Sequence, residues 1–204
     1  MAKMADIILT AFRELMLNVG TALPGHIASF DPVTQRAQIQ PGLQRTTVNG
    51  EVFTPEVIIE CPVIFSGGTG TFAIEYEINP GDQGLLIVSQ RCIDGWKETG
   101  GVGAVPLPRF HDLKDACFLP GLRSRAKTLP DFQNNGIRMR DSDGSNYVWL
   151  KRDGSIVLKG SGVDIQVESD LTVNGIPFLT HSHAYTWTGS AGSGVTGDPI
   201  DDGA

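Results

Sequence analysis

The chain of 204 residues has a formal net charge of −7 and no basic cluster, so we expect no binding to nucleic acid. Apolar residues at 40% fit a folded protein, whereas 7% aromatic residues and 25 glycines indicate many turns and modest cores. No stretch approaches the roughly twenty apolar residues of a membrane-spanning helix and the N-terminus is no secretory signal, so we expect a soluble protein from a reducing compartment.

The first predicted element is an amphipathic helix over residues 4–19, within an N-terminal segment that we assign to residues 1–22. The apolar residues that recur at three- and four-residue spacing are Ile8, Phe12, Leu15, Met16 and Val19. Gly20 offers a C-terminal stop. Two roles are open for this helix, which either packs against its own domain or docks into a neighbouring protein.

Residues 23–120 are typical of a small β-barrel, because short apolar or alternating runs are separated by turn signals. The runs cover residues 26–30, 36–40, 57–65, 72–74 and 84–88. The last run is continuously apolar, which predicts a central strand. About five strands in roughly ninety residues favour a five-stranded oligosaccharide/oligonucleotide-binding (OB) barrel.

The cysteines and the two early histidines do not form a recognisable site in the sequence. Cys61, Cys92 and Cys117 show no CxxC motif and no regular framework, so we expect reduced, buried thiols rather than disulfides or zinc ligands. His26 and His111 are interpreted as barrel or loop residues.

Residues 121–135 are predicted to be a connector, and residues 136–179 a series of short strands with one apolar face each. Two Asp-Gly turns, at 143–144 and 153–154, separate the first of these strands. Such strands carry too little apolar surface for a sheet that stands alone. We therefore predict an intertwined trimeric β-helix, in which three chains share one narrow core. A second β-domain in a monomer is the alternative.

Residues 180–204 contain the pair His181 and His183, separated by one serine. Side chains two residues apart on an extended backbone project to the same side, so the pair forms half of a metal site. Three copies would supply six imidazole nitrogens, which suit an octahedral first-row divalent ion such as Fe²⁺, Co²⁺ or Ni²⁺ better than zinc. A saturated shell predicts a structural site, because a catalytic metal needs an open position. Two unrelated surface histidines are the alternative.

The order of a short helix, a small barrel, alternating strands and a late HxH motif before a tail rich in glycine, serine and threonine resembles a known family. The tail residues that carry the likeness are 180–189, 192–194 and 196–199. They resemble the apex of the central baseplate spike of contractile-tailed bacteriophages, above all the short spikes of Mu-like phages. In one respect the chain departs from some members, which end soon after the motif, because here 21 residues follow His183.

The resemblance implies a homotrimer in the tail baseplate of the virion, made in the host cytoplasm. It implies that the barrel contacts hub or tail-tube proteins, and that the spike pierces the host outer membrane when the sheath contracts. It also implies one Fe²⁺ per trimer, held by His181 and His183 of all three chains.

The predicted fold is therefore all-β with a short N-terminal helix: an OB-like barrel followed by an intertwined trimeric β-helix with a metal-bound tip. The predicted function is structural and not enzymatic. A trimeric receptor-binding protein that recognises a surface glycan through Trp187 or Tyr185 is one alternative. A metal-dependent oxygenase is another, but neither glutamate nor histidine follows His183 to complete its ligand set. Motifs of the GxSxG, HExxH and GxxxxGK[ST] types are absent from the sequence.

Overall fold

The computed structural model describes residues 3–17, 19–47, 49–67, 70–162, 171–174, 176–177, 184–186 and 193–195. The chain forms two compact units, Met1–Thr128 and Leu129–Ala204. Strands predominate in both units. Within the described ranges, no helix is both long and apolar enough to cross a membrane.

Helix α1 spans Met4–Leu17 and confirms the predicted N-terminal helix. The carboxylate of Asp6 accepts a hydrogen bond from the backbone N–H of Lys3 at 3.2 Å, and the N–H of Asp6 donates to the carbonyl of Lys3 at 2.8 Å. An acidic residue in the first turn also stabilises the positive end of the helix dipole. None of the residues of α1 is buried.

The described residues of the first unit form nine strands, of which five make up its main sheet. In chain order these elements are β1 (Ala22–Asp31), β2 (Arg36–Pro41), β3 (Arg45–Thr46), β4 (Val52–Phe53), β5 (Ile58–Pro62), β6 (Ser66–Gly67), β7 (Ala73–Ile74), β8 (Gln83–Val88) and β9 (Ala116–Pro120). The main sheet is antiparallel in the order β5-β2-β1-β8-β9. Two small hairpins, β3-β4 and β6-β7, lie outside it.

The sheet curves into a half-barrel. Val63, directly after β5, forms a parallel bridge with Phe118 of β9, and the N–H of Ile64 donates to the Phe118 carbonyl at 2.8 Å. This contact connects the two edge strands of the sheet and encloses the core between them.

The buried apolar core of the described residues lies entirely in the half-barrel. Its members are Ile27, Ala37, Ile39, Ile58, Cys61, Leu86, Val88, Ala116 and Phe118, with Cys92 buried beside them. Strand β8 lies inside the sheet as predicted, but its burial alternates, and Ile87 is exposed although the sequence of the strand is continuously apolar. The alternation follows from the pleat, which turns successive side chains to opposite faces of the sheet.

Two short helical segments connect β8 to β9. Helix α2 spans Asp94–Thr99 and ends at Gly100, whose φ of 65° is the left-handed conformation that terminates helices. A 3₁₀ turn over Leu113–Asp115 leads directly into β9, and a second over Arg125–Lys127 follows the half-barrel.

The second unit is a series of small antiparallel sheets. Strands β10 (Gly136–Arg140), β11 (Tyr147–Lys151) and β12 (Ile156–Lys159) form a three-stranded meander. Two further pairs follow, β13 (Thr172–Val173) with β14 (Ile176–Pro177), and β15 (Ala184–Thr186) with β16 (Ser193–Val195). The predicted Asp-Gly turns connect the meander, with Gly144 at φ 78° and Gly154 at φ 86°.

Candidate self-association face

One face of the β10-β11-β12 meander is an uncovered apolar surface. Six large side chains form it, and each is between 42% and 72% exposed: Ile137, Met139, Val148, Leu150, Ile156 and Leu158. We call these six residues the apolar face. Among residues 129–162, 171, 173–174 and 176 of the second unit, no residue is buried as a whole. The six side chains of the apolar face are therefore exposed in the part of the chain that the structure describes.

The strand register orders the apolar face into two rows that run across the sheet. Ile137 pairs with Leu150, and Leu150 pairs with Ile156. The second row joins Met139, Val148 and Leu158 in the same way. Directly opposite side chains on one face are close enough to pack together, so the rows form a continuous ridged surface.

The opposite face of the meander is covered by its own cationic and aromatic side chains. The guanidinium carbon of Arg138 lies 3.9 Å from the Tyr147 ring centre and 5.4 Å from that of Trp149. The ammonium groups of Lys151 and Lys159 lie 4.8 Å and 5.6 Å from the Trp149 and Tyr147 ring centres, respectively. Cation–π contacts of this kind stabilise a face that is partly exposed to water.

The segment before β10 completes this second face. Arg140 donates through Nη1 to the carbonyl of Pro130 at 2.7 Å, and Arg138 donates through Nη2 to the carbonyl of Gly144 at 2.9 Å. The side chain of Arg138 is only 7% exposed and forms an ion pair of 3.5 Å with Asp131. The two faces of the sheet therefore differ, because the second face is packed by side-chain contacts within the chain and the apolar face is not. Two buried atoms of the second face, Arg138 Nε and Trp149 Nε1, nevertheless have no hydrogen-bond partner among the described residues.

The loop between β10 and β11 is organised around the carboxylate of Asp141. It accepts hydrogen bonds from the N–H of Gly144 at 2.8 Å, the hydroxyl of Ser145 at 2.9 Å and the side-chain amide of Asn146 at 2.6 Å. Desolvation opposes ionisation, but the hydrogen bonds from Asn146 and Ser145 outweigh it and hold the pKa of Asp141 well below its ordinary value. The bonds from Ser145 and Asn146 to Asp141 join the two ends of this loop, next to β10 and β11.

In the first unit, Cys92, Asp94 and Asp115 place their donor atoms close enough together to suggest a cation site. The guanidinium of Arg109 lies among them instead. Its Nη2 donates to Asp94 and Asp115 at 2.7 Å and to Cys92 Sγ at 3.1 Å, and its Nε donates to Asp115 at 2.8 Å. The cluster is therefore an ion-pair network that holds α2 and the 3₁₀ turn on the half-barrel.

The predicted metal ligands His181 and His183 lie outside the described residues. The early histidines are in the first unit, as predicted. His26 lies exposed on β1, and His111 is half-buried in the loop before β9. His111 contacts Gly20, three residues beyond the end of α1: its carbonyl accepts from the N–H of Gly20 at 2.8 Å, and its Nδ1 lies 3.0 Å from the Gly20 carbonyl oxygen.

All three cysteines are free thiols. Cys61 and Cys92 are buried as predicted, whereas Cys117 is only half-buried. Burial raises the pKa of Cys61 to about 12, so its thiol stays protonated at neutral pH.

Neither the cation–π face of the meander nor the Arg109 network was predicted from the sequence. The cation–π face had a visible signal, because Arg138 and Arg140 alternate in register with Tyr147 and Trp149 across a predicted hairpin. The Arg109 network had none, because its members belong to separate loops whose packing depends on the rest of the fold.

Residues 23–121 match the family model described as the phage protein Gp138 N-terminal domain. The matched residues include all nine strands of the first unit except the first residue of β1. The chain has no match among curated proteins. The similarity supports a phage structural protein, a component of the virion, and it is consistent with a protein that is not an enzyme.

Proposed function

We propose that this protein is the central baseplate spike of a contractile-tailed phage, and that it pierces the host outer membrane when the sheath contracts. The observation that carries the proposal is the apolar face, which nothing in the described chain covers. It occurs in a chain whose other unit is similar to a phage protein domain. A sheet with one exposed apolar face is stabilised when another apolar surface packs against that face.

The partner in this proposal is two further copies of the chain. Three sheets that turn their apolar faces inward enclose a narrow core, to which each chain contributes two rows of side chains. The cation–π faces then point outward to water, where their charges are tolerated. Such an assembly is stiff, because the chains separate only when many contacts break together. These properties suit a shaft that transmits force.

The first unit is proposed to be an OB-like barrel that attaches to hub or tail-tube proteins. The strand order β5-β2-β1-β8-β9 supports it, because the parallel bridge between Val63 and Phe118 joins the two ends of that order. An OB barrel is a partly open five-stranded barrel of this kind.

His181 and His183 of three chains are proposed to hold one Fe²⁺ near the tip of the shaft, although another octahedral divalent ion would suit the same donors. Strand β15 begins directly after His183, and an extended backbone through the motif would place both imidazoles on one side. The bound ion would cross-link the three chains at this point and would have no catalytic role. The histidines would stabilise the assembled trimer, since ligands brought together only in the folded state couple binding to folding.

The mechanism requires no chemical step by the protein. Sheath contraction supplies the work, and the spike contributes a narrow, stiff profile. Its contact with the outer membrane is mechanical.

The experiment compares two adjacent residues on opposite faces of β12. The exchange Leu158→Glu places a carboxylate on the apolar face, whereas Lys159→Glu makes the same side chain on the outward face. We expect the wild-type protein and Lys159→Glu to have the mass of three chains in light scattering, with one metal ion per three chains. Leu158→Glu should lose the trimer, because three buried carboxylates would repel each other in a dry core.

Three results would contradict the proposal. A monomer or dimer at high protein concentration would exclude the threefold shaft. One metal ion per chain would favour a metal enzyme. Saccharide binding that depends on Trp187, with virion assembly intact after its exchange, would favour a receptor-binding protein.

A further inference from the structure

Helix α1 presents a long apolar surface that the half-barrel does not cover. Its large apolar side chains are all about half exposed or more, with Leu15 at 68%. The chain is nevertheless held to the half-barrel shortly after the helix, because His111 forms two contacts with Gly20. A β-carbon at Gly20 would lie 2.7 Å from the His111 carbonyl oxygen, so the close approach requires glycine.

The apolar residues of α1 follow a heptad pattern. Within the helix, positions of the a and d type are occupied by Ala5, Ile8, Phe12 and Leu15. The flanking e and g positions are also apolar, with Met4, Leu9, Ala11 and Met16. At 100° per residue, Asp6, Thr10 and Arg13 lie on the opposite side. We call the a and d residues the seam.

The structure shows which side of α1 faces the half-barrel. The helix residues Glu14 and Leu17, and Val19 beyond the helix end, line a cavity of about 400 Å³ together with residues of β1, β3 and β4. On the helix these two residues lie about 140° to 160° from the centre of the seam. The seam is therefore turned away from the unit to which the helix is attached.

We propose that α1 forms a parallel three-helix coiled coil with the same helix of two other copies. This inference rests on the proposed homotrimer. Apolar residues at both e and g give each helix contact surfaces on both sides of the seam, as it needs when it touches two neighbours. The charged residues Asp6 and Arg13 lie outside this contact, so symmetric copies do not bring like charges together in the core.

Threefold symmetry also explains how so short a helix associates. A helix of 14 residues is marginal in water by itself. Three copies joined through the shaft hold their N-terminal units at a high effective concentration, so the helices associate without strong intrinsic affinity. Equivalent copies around one axis run parallel, which brings equal positions of the seam into contact.

The test is disulfide formation between equal positions in the full-length chain. Ile8→Cys and, as a second variant, Leu15→Cys place thiols on the seam, whereas Thr10→Cys places one on the opposite side. After mild oxidation we expect covalent dimers for the seam variants and at least about tenfold less for Thr10→Cys, since a disulfide requires Cα atoms within about 7 Å. Adding Phe12→Asp to Ile8→Cys should abolish the cross-link. Wild-type protein gives the background from the native thiols.

The mass in solution separates this inference from the proposed function. A trimer in which neither seam variant cross-links more than Thr10→Cys would overturn the coiled coil and leave the spike standing, with α1 then assigned to another tail protein. A monomer would overturn both. A trimer with seam-specific cross-links supports both.

Discussion

Replacing Arg109 with methionine leaves the carboxylate of Asp115 buried without its counter-charge. Asp115 is 0% exposed and receives two charge-assisted hydrogen bonds from the Arg109 guanidinium, at 2.7 Å and 2.8 Å. Its remaining described partner is the N–H of Ile93 at 3.0 Å. Breaking a buried pair by removing one partner typically costs about 3–5 kcal/mol. Asp94 adds little to this figure, because its side chain is 43% exposed and solvent screens the pair.

The penalty of Arg109→Met should also depend on pH. In the wild-type protein burial opposes ionisation of Asp115, but the bonds from Arg109 and Ile93 outweigh it, and the pKa of Asp115 lies below its ordinary value. Its stabilising contribution is therefore present above about pH 4, the unfolded pKa, and is lost as the pH falls through the lowered folded pKa. Without Arg109, burial dominates and raises that pKa. The loss of stability should then be largest at pH 7 and smaller near pH 4.5.

The assay is hydrogen exchange of the β9 amides at several denaturant concentrations, which reports the stability of the half-barrel separately from the second unit. A loss of about 3–5 kcal/mol in the free energy of unfolding raises the equilibrium constant for opening of the half-barrel at least about a hundredfold. The control is Arg123→Met, whose exposed guanidinium donates to one carbonyl and should change stability by no more than about 0.5 kcal/mol. A loss of stability below about 1 kcal/mol at pH 7, or one equally large at both pH values, would show that Arg109 is not the counter-charge that Asp115 needs.

Three further predictions concern the tip, the core packing and the buried thiol. Changing His181 and His183 together to alanine should remove the bound metal, as read by elemental analysis, while the half-barrel keeps its circular dichroism; unchanged metal content would show that the ligands are elsewhere. Gly84→Ala should destabilise the half-barrel by about 1–3 kcal/mol, because its β-carbon would overlap the ring carbon Cζ of Phe118 on β9. Gly70→Ala should not destabilise it, because a β-carbon at Gly70 would have no atom within 4 Å. Equal denaturation midpoints for the Gly84→Ala and Gly70→Ala variants would contradict the packing argument. Cys61, with its pKa raised to about 12, should resist iodoacetamide at pH 8 until the chain is unfolded in urea, which peptide mass spectrometry would show; labelling in the native state would contradict its burial.

The parts of the fold that local pattern determines were predictable from the sequence. The spacing of Ile8, Phe12 and Leu15 predicts α1, and the Asp-Gly turns predict the meander. Each of these signals is local, because it depends only on residues that are close together in the sequence. Strand β9 carries no comparable signal. Its sequence, ACFLP, has no alternation of apolar and polar residues, and the turn signal Pro120-Gly121 at its end does not by itself identify a strand. It becomes a strand by pairing with β8.

The Arg109 network shows why the remaining contacts could not be predicted. Arg109 and Asp115 are six residues apart, with a 3₁₀ turn between them, and Cys92 and Asp94 come from the far side of the loop. Isolated polar residues in such a stretch usually remain in water. Only the packing of the loop against the half-barrel buries Asp115 and makes its pairing with Arg109 necessary.

The two faces of the meander explain how a small sheet could be ready for assembly before it meets its partners. On the outward face, the contacts of Arg138 with Tyr147, Trp149 and Asp131 order the strands within one chain. Ordering a surface in advance reduces the entropy lost on association, so more of the energy of apolar burial appears as affinity. We therefore expect Arg138→Ala to weaken the trimer, although residue 138 faces away from the proposed interface. Light scattering over a dilution series should show dissociation at higher concentration than for the wild type. A dilution curve that coincides with that of the wild-type protein would mean that the outward face stabilises the strands without preparing them for assembly.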